Sequence, residues 1–582
     1  MEKEKLEMYR HSMAHILAKA LKEMYGEKLQ LTIGPAIETG FYYDIDSEQS
    51  IKPEDFGAIE NKMKEIIKRQ ENFVRKEVSK EEALKLFASN KYKCEIINEL
   101  ADDEIITLYY TGDDFVDLCR GPHVENSKYL SNFAFQIDKV AGAYWRGSEK
   151  NKMLQRVYCL GFENSKDLKE HLKLMQEAQE RDHRKLGKEL GIFMFSDLIG
   201  KGLPIWLPNG FALRRKLSDY IMDKELKAGY KHVLTPCIGS SELYKISGHW
   251  AHYKDDMFPS MKLDDEEYVL RPMNCPHHMV MYKSELHSYK DLPLRIAEIA
   301  NDFRFEDSGT LLGLERVRCM YQNDTHIFCR PDQIKSEVEG VVKLILEVYK
   351  DFGFKNYSFR LSLRDKDSDK YFPNDELWDK SENALRQILI DSGVDFYEAK
   401  GEAAFYGPKI DIQVNSAIGH EVTLSTVQLD YQLPERFELE YVDENGEKVR
   451  PVVIHRAILG TLDRFIAFII EEYKGLFPVW LAPVQVSILP IVDKCHEYSS
   501  KVLDILKSEG ISADIDLRSE TIGKKIREAQ SKKVPYSLII GEKEMQDGTV
   551  AVRKRGVGDI GAIKLEEFIK TIKQQINDKV IG

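Results

Sequence analysis

The sequence predicts an α+β chain of several domains, and three observations carry that expectation. The first is length, since 582 residues suffice for about three or four cores of ordinary size. The second is the stretch Ile299–Phe328, IANDFRFEDSGTLLGLERVRCMYQNDTHIF, which reads as two β-strands joined by a loop containing Gly and Ser. The third is a change of pattern from Pro483, where VQVSILPI, ISADIDL, YSLIIGEKE and VAVRKRG alternate with helical stretches, as in a small α/β domain with a mostly parallel sheet.

Composition narrows the function classes. With 43% apolar and 31% charged residues, the chain has the make-up of an ordinary soluble globular protein. It contains no run of about eighteen apolar residues, and its start, MEKEKLEMYRHS, is charged throughout, so neither a membrane span nor a secretory signal is expected. A cytoplasmic location follows as the expectation. The eight Cys are scattered and fit a reducing compartment, where each reads as a ligand or a core residue. At a net charge of −13 no general basic field attracts nucleic acid, so an RNA partner has to be held by local patches.

Taken in order, EKLEMYRHSMAHILAKALKEMYG has apolar residues at helical spacing and a Gly to end it. His11 and His15, four apart, share a face of that helix. Cys119 and His123 are also four apart, but Gly121-Pro122 forbids a helix between them and makes a shaped loop. Three His and a Cys suit a metal site or an acid/base pocket equally, and two unconnected surface pairs satisfy the spacing as well. Next, ENSKDLKEHLKLMQEAQERDHRKLGKEL reads as a solvated connecting helix with a domain boundary near Asp182. An amphipathic helix follows in LPNGFALRRKLSDYI. In YVLRPMNCPHHM, Pro276 is expected to break the backbone and neighbouring strand residues to diverge, so at most one or two of Cys275, His277 and His278 converge on a metal.

In the central stretch, strand alternation places Arg304 with Glu306, and Arg318, Met320, Gln322, Asp324 and His326 together on one face. A packing face would be apolar, and a face meant only for solvent rarely mixes a cation, a thioether, an amide, a carboxylate and an imidazole. Guanidinium groups pair with phosphate or carboxylate, and a nearby carboxylate holds magnesium or an amino group. The face therefore suits a nucleotide plus an amino acid. HRAILGTLDRFIAFIIEEY reads as a long amphipathic helix with Gly460 and Arg464 on one side, where a missing side chain admits a ligand and the Arg meets phosphate. Near the end, Lys524, Lys525, Arg527, Lys532, Lys533, Arg553, Lys554 and Arg555 form a basic island in an acidic chain.

FRFE followed by ERVRCMYQNDTHIF resembles the second signature motif of class II aminoacyl-tRNA synthetases in its threonyl version. The resemblance covers nearly the whole chain. AGYKHVLTPCI is similar to the first motif, which builds a dimer interface, and HRAILGTLDRF to the third. HSMAH and CRGPH resemble the paired motifs of the editing domain shared by threonyl-tRNA synthetases and alanyl-type editing proteins. In alanyl-type relatives those four residues hold zinc, whereas the threonyl family uses them to position substrate and water. They are accordingly not expected as metal ligands here. Asp117 and Lys93 match that domain's supporting polar residues. Many relatives carry a small ubiquitin-like domain ahead of the editing domain, whereas this chain is expected to start directly at the latter.

The resemblance implies the reaction of ATP with magnesium and L-threonine to threonyl-adenylate, transfer to tRNA(Thr), and hydrolysis of mischarged seryl-tRNA(Thr), all in a homodimer. It casts Arg304, Glu306 and Arg464 as catalytic, and Arg316, Met320, Gln322, Asp324, Tyr406, Lys409, Gln428 and Gly460 as binding ATP or substrate. Met320 stands where relatives often stack a Phe on adenine. One zinc per chain is implied on Cys275, His326 and His455. Arg527, Glu544 and Arg553 match anticodon-contacting positions, while Thr521 departs from a Lys found in some relatives. The implied division is an editing domain at 1–165, a helical linker at 166–190, a class II antiparallel-sheet catalytic domain at 191–482 and an anticodon-binding domain at 483–582.

Overall fold

The computed structural model describes residues 3–101, 104–368, 370–371, 373–416 and 421–581, and its contacts separate Met1–Gln176 from Glu177–Gly582. In the first unit the apolar spacing of the opening segment produces helix α1 (Lys3–Tyr25), which buries Met13, Ile16, Leu17 and Leu21. It ends where Gly26 takes a φ of 64°, the left-handed stop that glycine adopts most easily. The strands of three or more residues in this unit are β1 (Leu29–Leu31), β2 (Gly40–Ser47), β3 (Phe73–Val78), β4 (Ile106–Thr111), β5 (Phe115–Leu118), β6 (Ala134–Tyr144) and β7 (Met153–Phe162). Strands β1, β2, β7 and β6 pair antiparallel in that order, and β3, β4 and β5 form a second sheet. Asn90 caps helix α2 (Lys91–Glu99), whose Lys93 is turned into the interior.

Helix α3 (Ser165–Arg181) has no buried residue, as its charge predicts. The expected break at Asp182 is a helix start, because its side chain accepts the Arg184 N–H at 2.8 Å and caps α4 (His183–Glu189). Within the second unit, helix α5 (Pro208–Lys227) leads to the two-residue strand β8 (Lys231–His232). Helix α6 (Cys275–Lys283) is a correction to the sequence reading. Pro276 does not break the chain but sits in the first helical turn, where a missing N–H costs nothing.

An eight-stranded sheet follows. Its members are β8, β9 (Leu294–Phe303), β10 (Cys319–Cys329), β11 (Tyr357–Leu363), β12 (Phe396–Lys400), β13 (Lys409–Asn415), β14 (Glu421–Asp430) and β15 (Val452–Thr461), in the spatial order β8-β9-β10-β15-β14-β13-β11-β12. The inner pairs are antiparallel, and only the two edge pairs are parallel. Helices α7 (Ile334–Phe352) and α8 (Leu462–Glu472) share one apolar cluster with Ile327, Ile454, Val427, Ile410 and Leu361. Two expectations change here. The strand β9 ends at Phe303, so Arg304, Glu306 and Arg318 lie in the connection rather than on strands. Gly460 belongs to β15 and Arg464 to α8, so they do not share a helix face; central strand β15 is buried on both sides and reads as a continuous apolar run.

The last sheet holds β16 (Val486–Pro490), β17 (Ala513–Ile515), β18 (Tyr536–Ile540), β19 (Thr549–Lys554) and β20 (Gly558–Lys564), with helix α9 (Ile522–Ser531) beside it. It is parallel only through β17, β16 and β18; β19 follows β18 after the short helix Glu542–Asp547 and pairs antiparallel with it, and β20 returns antiparallel on β19 after three residues. Among the described residues no helix is long and apolar enough to cross a membrane.

One buried ion pair joins α5 to the sheet. Glu225 Oε1 accepts from Arg456 at 2.6 Å and from Asn323 Nδ2 at 2.9 Å, and its other oxygen meets His232 Nε2 at 2.7 Å. Arg456 and Glu225 are both fully buried, and the guanidinium lies 4.4 Å from the centre of the Tyr230 ring. Glu225→Ala leaves a buried cation unpaired and is expected to cost about 3–5 kcal/mol, read as a lower urea midpoint for the larger unit; a loss below about 1 kcal/mol would show the pair to be dispensable.

Candidate functional site

The site is built on a row of cross-strand neighbours. His326 faces His455, His455 faces Gln428, Gln428 faces Lys409, and Lys409 faces Ser362, so one line crosses β10, β15, β14, β13 and β11. A second row two residues along carries Asp324, Ala457, Thr426 and Asp411. Strand alternation puts both rows on the face opposite the apolar cluster.

Above this face lies a cavity of about 360 Å³, lined among others by Arg304, Glu306, Glu315, Arg316, Lys409 and Arg464. Met320, Gln322, Gln428 and Gly460 line it too. Four cations thus converge on one space. Arg316 Nε pairs with Glu306 at 2.7 Å, Arg464 Nε donates to the Glu315 carbonyl at 3.3 Å, and Lys409 Nζ lies 3.0 Å from Asp411. Arg304 is held by the Pro272 carbonyl at 3.4 Å, with its guanidinium 5.7 Å from the Tyr253 ring centre. Gly460 has a reason of its own. At a φ of 58° an added Cβ would sit 2.8 Å from the Leu424 carbonyl, so the backbone demands glycine there whatever the cavity holds.

Tyr406 and Asp324 stand beside this space rather than in its wall, next to a second constellation. Tyr406 donates to Gln428 Oε1 at 2.7 Å, and its ring lies 5.2 Å from that of His455. Cys275, His326 and His455 are all buried, and one ligand atom from each lies within 4.8 Å of the others. The set fits a metal by its own chemistry. His326 Nδ1 is taken by His278 at 2.8 Å while its Nε2 is buried with no hydrogen-bond partner among the described residues. Asp430 takes His455 Nε2 at 2.7 Å and so leaves the other ring nitrogen available. Burial drives the His326 pKa well below and the Cys275 pKa well above their usual values, so without a metal these two groups are uncharged. Three soft or borderline donors in a closed, buried setting suit zinc with coordination left open for a ligand.

The first unit gathers its own predicted residues. Cys119 Sγ lies 3.3 Å from His11 Nε2 and 3.1 Å from His123 Nε2, and Ser12 Oγ meets His123 Nδ1 at 3.1 Å. With His15, the four offer atoms within 4.8 Å of one another, which brings them to metal-ligand spacing although the sequence reading did not cast them so. Behind them Lys93 Nζ pairs with Asp117 at 2.5 Å and Tyr43 Oη donates to the same carboxylate at 2.5 Å, all buried. A cavity of about 470 Å³ touches the group at His11, with Gly121 and Pro122 also in its wall.

Of the three expected anticodon residues, Arg553 has a buried Nε with no hydrogen-bond partner among the described residues and Glu544 caps the Gly541 N–H at 2.9 Å, while Arg527 lies on α9. The basic island is partly architectural. Lys525, Lys533 and Arg555 are anchored on main-chain carbonyls rather than left to solvent. Sequence reasoning missed Glu315, Asp411 and Thr426 in the cavity, and His278 and Asp430 behind the histidines. His278 was in view as part of CPHH, but only its place on α6 reveals its partner.

Comparison with known proteins agrees with this layout. Residues 258–473 match the class II tRNA synthetase core domain (G, H, P, S and T), 485–575 an anticodon-binding domain, and 106–158 the threonyl and alanyl tRNA synthetase second additional domain. The fold and the sites together define a class II aminoacyl-tRNA synthetase. The threonine–tRNA ligase of Geobacillus sp. (strain WCH70) is 54% identical over 577 residues, 98% of this chain and 89% of the relative; that of Staphylococcus carnosus (strain TM300) is 53% identical over 99% and 89%. The crystal structure of the RNA binding domain of threonyl-tRNA synthetase from Cryptosporidium parvum Iowa II aligns with a TM-score of 0.65 at 39% identity, covering 68% of this chain and 98% of that one. The chain belongs to the threonine–tRNA ligase family.

Burial raises the Cys119 thiol to about 11, so little thiolate exists near neutral pH and more appears only as pH climbs toward that value. In chelator-treated protein Cys119 is expected to alkylate with iodoacetamide roughly 10²-fold more slowly than a free thiol at neutral pH, and to speed up with pH; equal rates would contradict the burial.

Proposed function

We propose that the larger unit binds ATP with magnesium and L-threonine, forms threonyl-adenylate and transfers threonine to tRNA(Thr), and that the first unit hydrolyses tRNA carrying serine in error. The observation that carries this reading is the contact of two subsites on one sheet face, a cavity of converging cations and a buried Cys-His-His group, joined by Gln428 and Tyr406. Phosphates belong among the cations. Arg304 stabilises charge on the α-phosphate as the amino acid's carboxylate attacks, and Arg464 holds the outer phosphates, so the chain's contribution is orientation and fixed charge. Glu306 keeps Arg316 in place, Gln322 and Lys409 border the nucleotide, and the Met320 thioether covers the adenine ring. Gly460 keeps the wall open beside them.

Cys275, His326 and His455 would hold zinc, which would supply a Lewis-acid centre able to take the amino and hydroxyl groups of threonine. Asp324 and Tyr406 border that site. Such a site rejects valine, which lacks the hydroxyl, by several orders of magnitude, whereas serine differs by one methyl worth roughly 1–3 kcal/mol. Serine therefore has to be removed afterwards. His11, His15, Cys119 and His123, with Lys93 and Asp117 behind them, form the pocket assigned to that hydrolysis.

The same reading divides the chain into an editing domain at 1–165, a linker at 166–190, a catalytic domain at 191–482 and an anticodon-binding domain at 483–582, where Arg527, Glu544 and Arg553 face the RNA. It also implies a homodimer through α5 and the segment after it, where Leu234 is 89% exposed. Eight free cysteines suit a cytoplasmic location.

Arg304→Ala is expected to abolish threonine-dependent ATP–pyrophosphate exchange while the circular dichroism spectrum stays that of the parent; normal exchange would defeat the assignment. Cys275→Ala is expected to lose its zinc by metal analysis and to activate valine measurably. Full zinc content with valine still refused would move the metal elsewhere.

A further inference from the structure

His183 lies outside the cavity, at the first residue of α4, yet both of its ring nitrogens are spent on parts of the catalytic machinery. Its Nδ1 meets Glu471 Oε1 at 2.7 Å, and its main-chain N–H donates to the same oxygen at 3.1 Å. Its Nε2 accepts the main-chain N–H of Leu314 at 3.1 Å. Since an accepting nitrogen carries no proton, the ring is the Nδ1–H tautomer and donates to Glu471. Asp182, His183 and Glu471 also lie close enough together to suggest a metal, but with both nitrogens engaged the imidazole has no lone pair to give.

Leu314 is the tip of a tight reversal. Leu312 and Arg316 exchange main-chain hydrogen bonds of 3.2 Å in both directions, and Gly313 between them has a φ of 48°. An added Cβ on Gly313 would fall 2.1 Å from His183 Nε2, so the turn is pressed directly against the imidazole. Leu314 itself is fully buried. The next two residues, Glu315 and Arg316, line the cavity, and the Glu315 carbonyl receives Arg464. Glu471 sits near the end of α8, the helix whose first turn carries Arg464. Arg181 fastens that end as well, donating to the carbonyls of Glu471 at 3.0 Å and Glu472 at 2.9 Å.

We propose that His183 is a positioning residue for nucleotide binding: it pins the tip of the 304–318 loop to the end of α8, and so sets Arg316 on the loop and Arg464 on the helix at a fixed separation across the cavity. It touches no substrate. Its effect reaches ATP through those two arginines and leaves the Cys275, His326 and His455 group untouched, so ATP and threonine should respond differently. The inference rests on the assignment of the cavity to ATP.

The test is threonine-dependent ATP–pyrophosphate exchange on the full chain. His183→Asn keeps a donor for Glu471 but places no acceptor near Leu314, leaving a buried N–H unmatched; KM for ATP is expected to rise about 10-fold while KM for threonine changes less than about 2-fold. His183→Gln, whose amide oxygen reaches further, is expected to recover most of that loss. An unchanged KM for ATP in His183→Asn, or equal losses for both substrates with no recovery in His183→Gln, would overturn the proposal. Should His183→Asn not fold, Gly313→Ala displaces the same tip from the loop side and must raise KM for ATP alone, or the proposal falls. No exchange by the unaltered chain would instead remove the functional reading on which the inference stands.

Discussion

The placement of the catalytic strands depends on a pair of opposite charges shut away from water. Arg456 and Glu225 are both inaccessible, and taking two ions out of water costs several kcal/mol each unless every lone pair and N–H finds a partner nearby. Glu225 meets most of that demand with three partners, from β15, from β10 and from the residue that ends β8. Arg456 adds the face of Tyr230. The residues next to these anchors in sequence, His455 beside Arg456 and Gln322 and Asp324 beside Asn323, point to the other side of the sheet by strand alternation. An ion pair beneath the sheet therefore determines where the working groups above it stand.

The two faces of the large sheet do different work with the same backbone. One is packed by α7 and α8 with branched and aromatic side chains, and its rigidity comes from close packing. The other holds buried polar groups that find no hydrogen-bond partner among the described residues, such as His326 Nε2. Pressure to bind something is built into such a face, since each unmatched buried group carries a desolvation cost that a ligand or metal removes.

Much of this was legible from residue patterns, and the failures have physical causes. The polar face from Met320 to His326 showed because strand alternation repeats every two residues and survives without tertiary information. The boundary at Thr461 did not, because β15 is enclosed on both sides and a continuous apolar run does not distinguish strand from helix. Cys275, His326 and His455 come together through pairing of distant strands and the start of α6, and no local spacing encodes that; family resemblance supplied it. His278 and Asp430 remained hidden because an outer partner of a ligand has no signature except its position. In the C-terminal sheet, the antiparallel pairing of β19 and β20 was hidden because the three residues between them, Arg555, Gly556 and Val557, look like any loop.

The row that runs from His326 through His455 and Gln428 to Lys409 makes the sheet a measuring device. Neighbouring strands stand about 4.8 Å apart, so the spacing between the metal-type group and the cationic end is counted in whole strands and is the same whatever the lengths of the connections. Evolution or an engineer can therefore lengthen or replace the loops between these strands without moving one subsite against another. A single residue inserted within β10, β14 or β15 is a different matter. It turns every side chain beyond it to the opposite face, and several subsites leave the cavity together.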